Sequence, residues 1–309
     1  MATDIAPLTL EQIRHRKIDL PVCPDMLVRL SQVLGNSRSH VDEIVGVIQV
    51  DPTLISQILR VANSAAFGTA RNILSIPQAV IRLGVDEIAR IASFLLTKRL
   101  FQQGTRAWTP ACEALWQHSC MTAVVARKLA GRWNPRMSDT FFTVGMLHDY
   151  AKTLLLQVAP GDYPDLDDPV AGHGEALLIW EQEHFGTSHA RLGGELLTHW
   201  GLPKTLVDLV AQHHLPRADS GQAGQLFDTA NRLAVHLDEA GQTLPLSPDL
   251  LRALSDLGID KEVLAVISRE AQAEMDKLDA MRRAGNVSSG AHRLVGGVDP
   301  LERSASEKA

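Results

Sequence analysis

Phe142-Thr-Val-Gly-Met-Leu-His-Asp-Tyr-Ala-Lys152 is the stretch that decides how this chain is read. Its apolar residues belong to a buried helix, and His148-Asp149 falls where that helix emerges at a polar point. Adjacent His and Asp at such a point are candidate metal ligands, because first-row divalent cations favour imidazole nitrogen together with carboxylate oxygen and leave positions open for water. Lys152 lies four residues after His148 and on the same helix face, where its ammonium either contacts a phosphate or pairs with Asp149.

Outward from this run, apolar residues recur at helical spacing almost everywhere and alternating runs of strand type are scarce, which predicts an all-α fold in two lobes. Asp51-Pro52 is a helix start: the Asp side chain accepts from the first turn and Pro occupies a position that needs no donor. The helix that follows carries Leu54, Ile55, Ile58, Leu59 and Ala62 on one face. Ser75 opens another helix before Pro77, Gly84 closes it, and a longer helix runs from Val85 to Leu100. Further helices are expected over Ala111 to Ala130, Ser138 to Val158, Glu175 to Trp200, Lys204 to His213, Gln225 to Leu237, Pro248 to Leu257 and Asp260 to about Arg282.

These elements divide into an N-terminal extension (1–14), an N-terminal helical lobe (15–103), a second helical lobe (104–283) and a tail (284–309). The connection at 102–110 and the loop at 159–174 are rich in turn formers, and the tail is too polar to offset its ordering entropy, so disorder is expected there. Trp108, Trp116, Trp133, Trp180 and Trp200 are dispersed and read as packing residues rather than a stacking platform for bases. Asn63-Ser64 reads as a helix stop.

Composition narrows the function classes. A formal net charge of -6 gives no global basic field, and Arg82, Arg90, Lys98 and Arg99 are too scattered to form a stripe, so nucleic acid is an unexpected partner. Cys23, Cys112 and Cys120 lack Cys-x-x-Cys spacing and are too few for a disulfide framework. No stretch reaches the roughly 18 apolar residues of a membrane span, and the first residues lack the pattern of a signal peptide, which together imply a cytoplasmic protein.

Several segments occur in the order of one known family. Val50-Asp-Pro-Thr-Leu-Ile-Ser-Gln-Ile-Leu-Arg-Val-Ala-Asn-Ser64, Ser75-Ile-Pro-Gln-Ala-Val-Ile-Arg-Leu-Gly84, the His148-Asp149 run, Glu183-His-Phe-Gly-Thr-Ser-His189 and Trp200-Gly-Leu-Pro203 together resemble the HDOD family over residues 15 to 240. That family is a divergent branch of the HD and HD-GYP metal phosphohydrolases. The resemblance implies an N-terminal helical bundle packed on an HD-like helical domain. It also implies a metal set of His118, His148, Asp149 and a late Asp, whose position holds Asn231 here. An amide oxygen is a weaker ligand than a carboxylate for a hard cation.

His184, His189, His213 and His214 have counterparts that bind additional metal in the HD-GYP enzymes, and Lys152, His184, His189 and His213 are the candidates for phosphate binding or outer support. His213-His214 also fits a cap at a helix C-terminus, and there is no Gly-Tyr-Pro element after the histidines. Two functions follow from the resemblance. One is a bacterial signalling output or scaffold without catalysis, contacting a sensor kinase, a response regulator or a cyclic-di-GMP-related protein. The other is a phosphohydrolase of a nucleotide or cyclic dinucleotide using Fe, Mn, Mg or Zn, with Asp228 as a substitute carboxylate.

Overall fold

The computed structural model describes residues 6–36, 40–68, 72–103, 109–164, 174–215, 219–238 and 246–285, and among these there are helices and no strand. Trp108, most of the 102–110 connection, most of the 159–174 loop and the tail from 286 lie outside the described residues.

Helix α1 (Leu10–His15) belongs to the N-terminal extension and packs against the later helix His189–His199, while the N-terminal lobe consists of α2 (Asp25–Gly35), α3 (Val41–Gln49), α4 (Pro52–Ala62), α5 (Ile76–Leu83) and α6 (Val85–Gln103). Asp51 Oδ1 accepts from the backbone N–H of Thr53 at 2.7 Å and of Leu54 at 3.1 Å, a cap worth about 1 kcal/mol. At the other end of α4, Asn63 acts as a latch as well as a stop. Its Oδ1 accepts from Ile73 N–H at 2.7 Å and its Nδ2 donates to the carbonyls of Ile73 and Leu59, both at 2.8 Å. That satisfies backbone groups on a loop that no helix or sheet would otherwise pair. On α4, Leu54, Ile58, Val61 and Ala62 are buried, with Ile55 and Leu59 partly so.

The second lobe holds α7 (Pro110–Trp133), α8 (Ser138–Leu147), α9 (Lys152–Val158), α10 (Gly174–Phe185), α11 (His189–His199), α12 (Lys204–Ala211), α13 (Gln222–Asp238), α14 (Pro248–Asp256) and α15 (Lys261–Gly285). Helices α7 and α8 approach so closely that a Cβ on Gly145 would lie 2.3 Å from Ala123 Cα. The expected helix over 138–158 is in fact two, with a turn at 148–151. There the His148 ring N–H binds the Gly145 carbonyl at 2.8 Å, and Tyr150, Lys152, Thr153 and Leu154 each bond three residues back. The expected helix over 175–200 is likewise divided, at Gly186 (φ 62°), and α11 restarts with Ser188 capping Arg191 N–H.

An aromatic seam joins the lobes. Trp116 on α7 packs between Phe94 and Phe101 of α6, each with ring centroids 5.3 Å away, and Tyr150 stacks edge-on to Phe101 at 4.9 Å. The Tyr150 hydroxyl donates to the Leu100 carbonyl at 3.2 Å. Across both lobes runs α15, whose Glu274 receives Arg90 of α6 at 3.0 Å and Arg127 of α7 at 3.1 Å.

Candidate functional site

The turn at 148–151 places Asp149 at the centre of a buried node. His118 comes from the middle of α7, His148 and Asp149 from the end of α8, Lys152 from the start of α9, and His189 from the first residue of α11. His213 and His214 follow α12, and Asn231 sits on α13. All are buried except His214, which is half-buried.

Asp149 uses its two oxygens on different sides. Oδ2 receives Lys152 Nζ at 2.8 Å and faces His148 Nε2 at 3.3 Å and His118 Nε2 at 3.8 Å. Oδ1 faces His189 Nε2 at 3.1 Å and His213 Nε2 at 3.6 Å. Asn231 Oδ1 accepts from His118 Nε2 at 3.0 Å. His214 Nε2 lies 3.1 Å from His189 Nε2.

Backbone carbonyls fix the tautomers of two of these rings. His148 Nδ1 faces the Gly145 carbonyl at 2.8 Å and His213 Nδ1 faces the Val210 carbonyl at 2.7 Å; a carbonyl only accepts, so each Nδ1 carries the proton and each Nε2 presents a lone pair. Burial pushes the His148 imidazole down to about 4 against the pull of Asp149, and it also lowers His213. Both rings are therefore neutral at pH 7. Burial by itself would raise the Asp149 carboxyl, but the Lys152 ammonium and the His189 imidazole beside it hold it well below the usual range.

Three buried polar atoms, His148 Nε2, Asp149 Oδ1 and His213 Nε2, have no hydrogen-bond partner among the described residues. All three are acceptors in their native protonation state, which is the donor chemistry a divalent cation requires. Two overlapping sets, His118–His148–Asp149 and Asp149–His189–His213–His214, each bring one ligand atom per residue within 4.8 Å of one another. The node can thus hold a metal ion.

Two residues outside the expected set complete the arrangement. Glu181, buried on α10, accepts from the His189 backbone N–H at 2.8 Å and from its Nδ1 at 2.8 Å, and the Tyr163 hydroxyl donates to the same carboxylate. Burial would depress His189, but Glu181 outweighs it and raises the imidazole. A signal was present in the sequence: Leu177, Glu181 and Phe185 recur at four-residue spacing on the one buried face of α10, so the acid stands within an apolar stripe.

His184 does not join the node. It lies on the exposed face of α10, stacked on Trp180 with ring centroids 3.9 Å apart, because the inward direction at that point of the helix belongs to Glu181 and Phe185. Asp228 faces Arg232 at 3.6 Å and belongs to neither candidate metal set.

The HDOD domain family matches residues 20–216, so Asn231 falls beyond the matched span. A curated but uncharacterized protein of Treponema pallidum (strain Nichols) is 24% identical over 209 residues, which cover 67% of this chain and 40% of that protein. This chain therefore spans two fifths of that relative's length. A solved structure from Marinobacter aquaeolei VT8, provisionally named a signal transduction protein, aligns with TM-score 0.67 at 22% identity, covering 92% of this chain and 63% of that one. One from Shewanella amazonensis SB2B, provisionally named a phosphohydrolase, aligns at 0.64 and 21%, covering 89% and 97%. An HDOD domain protein of unknown function from Geobacter sulfurreducens aligns at 0.63 and 21%, covering 88% and 96%. At these identities the likeness establishes a shared helical fold.

Proposed function

This chain belongs to the HDOD family, and on that premise we propose that it is a signalling output module that acts through protein contacts and turns over no phosphoester. One observation carries the reading: the Asp149 carboxylate, the acid that a hydrolytic centre would spend on its ion, is already balanced by the buried Lys152 ammonium at 2.8 Å. A neutral amide at Asn231 takes the place of the second acid, and the node is closed over, with His148 0% and Asp149 1% exposed. A phosphoester cannot reach such a carboxylate without displacing packed side chains.

Signal transduction is the role named for the Marinobacter relative of similar fold, and it supports this class of function rather than any one partner. The partner classes that fit are a sensor kinase, a response regulator or a cyclic-di-GMP-related protein. The N-terminal lobe (15–103) and the HD-like lobe (104–283) are the two units of the proposed module.

A second reading is favoured by the three unpartnered acceptors: a metal-dependent phosphohydrolase, with an ion held by His118, His148 and Asp149, by Asp149, His189 and His213, or by both sets. Such an ion supplies Lewis acidity and a water of lowered pKa. Within that reading Glu181 orients His189 through Nδ1 and leaves Nε2 directed at Asp149.

Hydrolysis of bis(p-nitrophenyl) phosphate and of cyclic di-GMP, by chelator-treated protein reloaded in turn with Fe, Mn, Mg or Zn, separates the two. Rates equal to those of the His148→Ala/Asp149→Ala variant are expected. Metal-dependent turnover that this variant loses would replace the first reading with the second.

A further inference from the structure

We infer that α15 is a releasable strap, and that the groove beneath it is the docking site for an acidic amphipathic helix of a partner protein. The strap lies beyond residues 20–216, the span that the family matches. It packs along α7 of the second lobe and against α4 and the turn Ala65–Phe67 of the first, so one helix covers both. A groove that receives one amphipathic helix within the chain has the shape to receive another of the same pattern.

The strap is held by a seam with an acid at its centre. Ile267, Ala271, Leu278 and Met281 are buried, and Glu274 falls three residues after Ala271 and four before Leu278, so all five share one helix face. The Glu274 side chain is 14% exposed. A carboxylate in an apolar seam gives up its hydration, and the ion pair it gains contributes little net stability; its effect falls on which partner and which register the groove accepts.

Charge sets the chemistry of the occupant. Glu274 Oε1 accepts from Arg90 Nη1 of α6 at 3.0 Å and from Arg127 Nη1 of α7 at 3.1 Å, and Lys128 Nζ stands 3.5 Å from Oε2. One turn earlier Glu270 meets Lys128 at 3.1 Å, and towards the other end Arg282 donates to Glu113 at 2.6 Å, so α15 runs antiparallel to α7. Without α15 the groove offers Arg90, Arg127 and Lys128, and a basic helix would meet like charge there. Each arginine also has an acid within its own lobe: Arg90 pairs with Glu87, and Arg127 Nε lies 3.6 Å from Asp139 Oδ1. Release of α15 therefore leaves both with a counter-charge.

The fitting partner helix repeats the order of α15: two apolar residues four apart, a Glu three further on, and apolar residues four and seven beyond it. Within the chain α15 competes for the groove at an effective concentration on the order of millimolar, which keeps the site covered until a partner of matching pattern outbids it. The inference deepens the signalling reading and rests on it for the partner. Release of the strap is measured without reference to phosphoester hydrolysis, so the two can fail separately.

Hydrogen–deuterium exchange on the full chain tests the strap, and fluorescence anisotropy with a labelled peptide of residues 261–285 as the probe tests the groove. The amides of α15 should open as one unit ahead of those of α7 and α8, and Glu274→Gln should speed that opening about tenfold while α7 and α8 keep their protection. The peptide should bind the Glu274→Gln chain with an apparent Kd about tenfold below that for the wild-type chain, because the competing strap is weaker. A peptide carrying the same Glu→Gln change should lose most of that binding. Opening of α15 only together with α7, equal binding of the two peptides, or a Glu274→Gln chain that dimerises instead of taking up the peptide would overturn the inference.

Discussion

Lys152 is where the charge balance of the node turns. Its ammonium is buried against Asp149 Oδ2, and a buried carboxylate that loses its partner is an uncompensated charge in a medium of low dielectric constant. Lys152→Met should therefore lower the unfolding free energy of chelator-treated protein by roughly 3–5 kcal/mol, measured by urea denaturation. The double change Lys152→Met/Asp149→Asn should recover most of that loss, since it removes both charges. A loss below about 1 kcal/mol for the single variant would show that another cation balances Asp149. At this scale the sequence was informative about the residues joined to Asp149 and silent on geometry. His118, His148 and Asn231 meet as the motif order implies, but the carbonyls that fix the tautomers of His148 and His213 come from Gly145 and Val210, and nothing in residue type announces them. His184 illustrates the same limit. It shares its residue type with His189 and its helix with Glu181, both of which reach the node, and only the facing of α10 separates it from them.

Among the elements, local chemistry was the legible part. The Asp51-Pro52 start, the Ser75 cap and the Gly84 stop all stand where the sequence places them, because each is satisfied within one turn of helix. The breaks within 138–158 and 175–200 were not legible from periodicity. In the first, a histidine ring takes a backbone carbonyl and tightens the chain into a turn that keeps nearly helical dihedrals, so the apolar spacing continues through it. In the second the signs were local, Gly186 with a left-handed φ and Ser188 as a cap, but they sat inside a motif that reads as a ligand run. Between residues 15 and 50 the pattern assigned no boundaries, although α2 and α3 stand there.

Gly145 is the element-scale position with the sharpest consequence. Its hydrogen is what lets α8 lie against the backbone of Ala123 on α7, and the same stretch of α8 carries His148 to the node. Gly145→Ala gains helix propensity of up to about 1 kcal/mol, yet it forces the two helices apart, and that overpacking costs about 1–3 kcal/mol or more. A net destabilisation in thermal unfolding is expected, whereas a rise in Tm would mean that the α7–α8 contact is looser than the structure has it.

For the molecule as a whole, Asp149 lies one residue from the contact between the lobes. Tyr150, its neighbour, joins the aromatic seam to α6. Among the described residues no single helix is long and apolar enough to cross a membrane. On the function proposed above, Lys152 rather than a metal ion balances the node, and a signal passes through the fold without hydrolysis. The metal content of protein purified without chelator or a metal-binding tag, determined by elemental mass spectrometry beside the His148→Ala/Asp149→Ala variant, tests this most directly. Far less than one ion per chain is expected in a folded wild type, with no difference from the variant. Near-stoichiometric metal that the variant loses would contradict it.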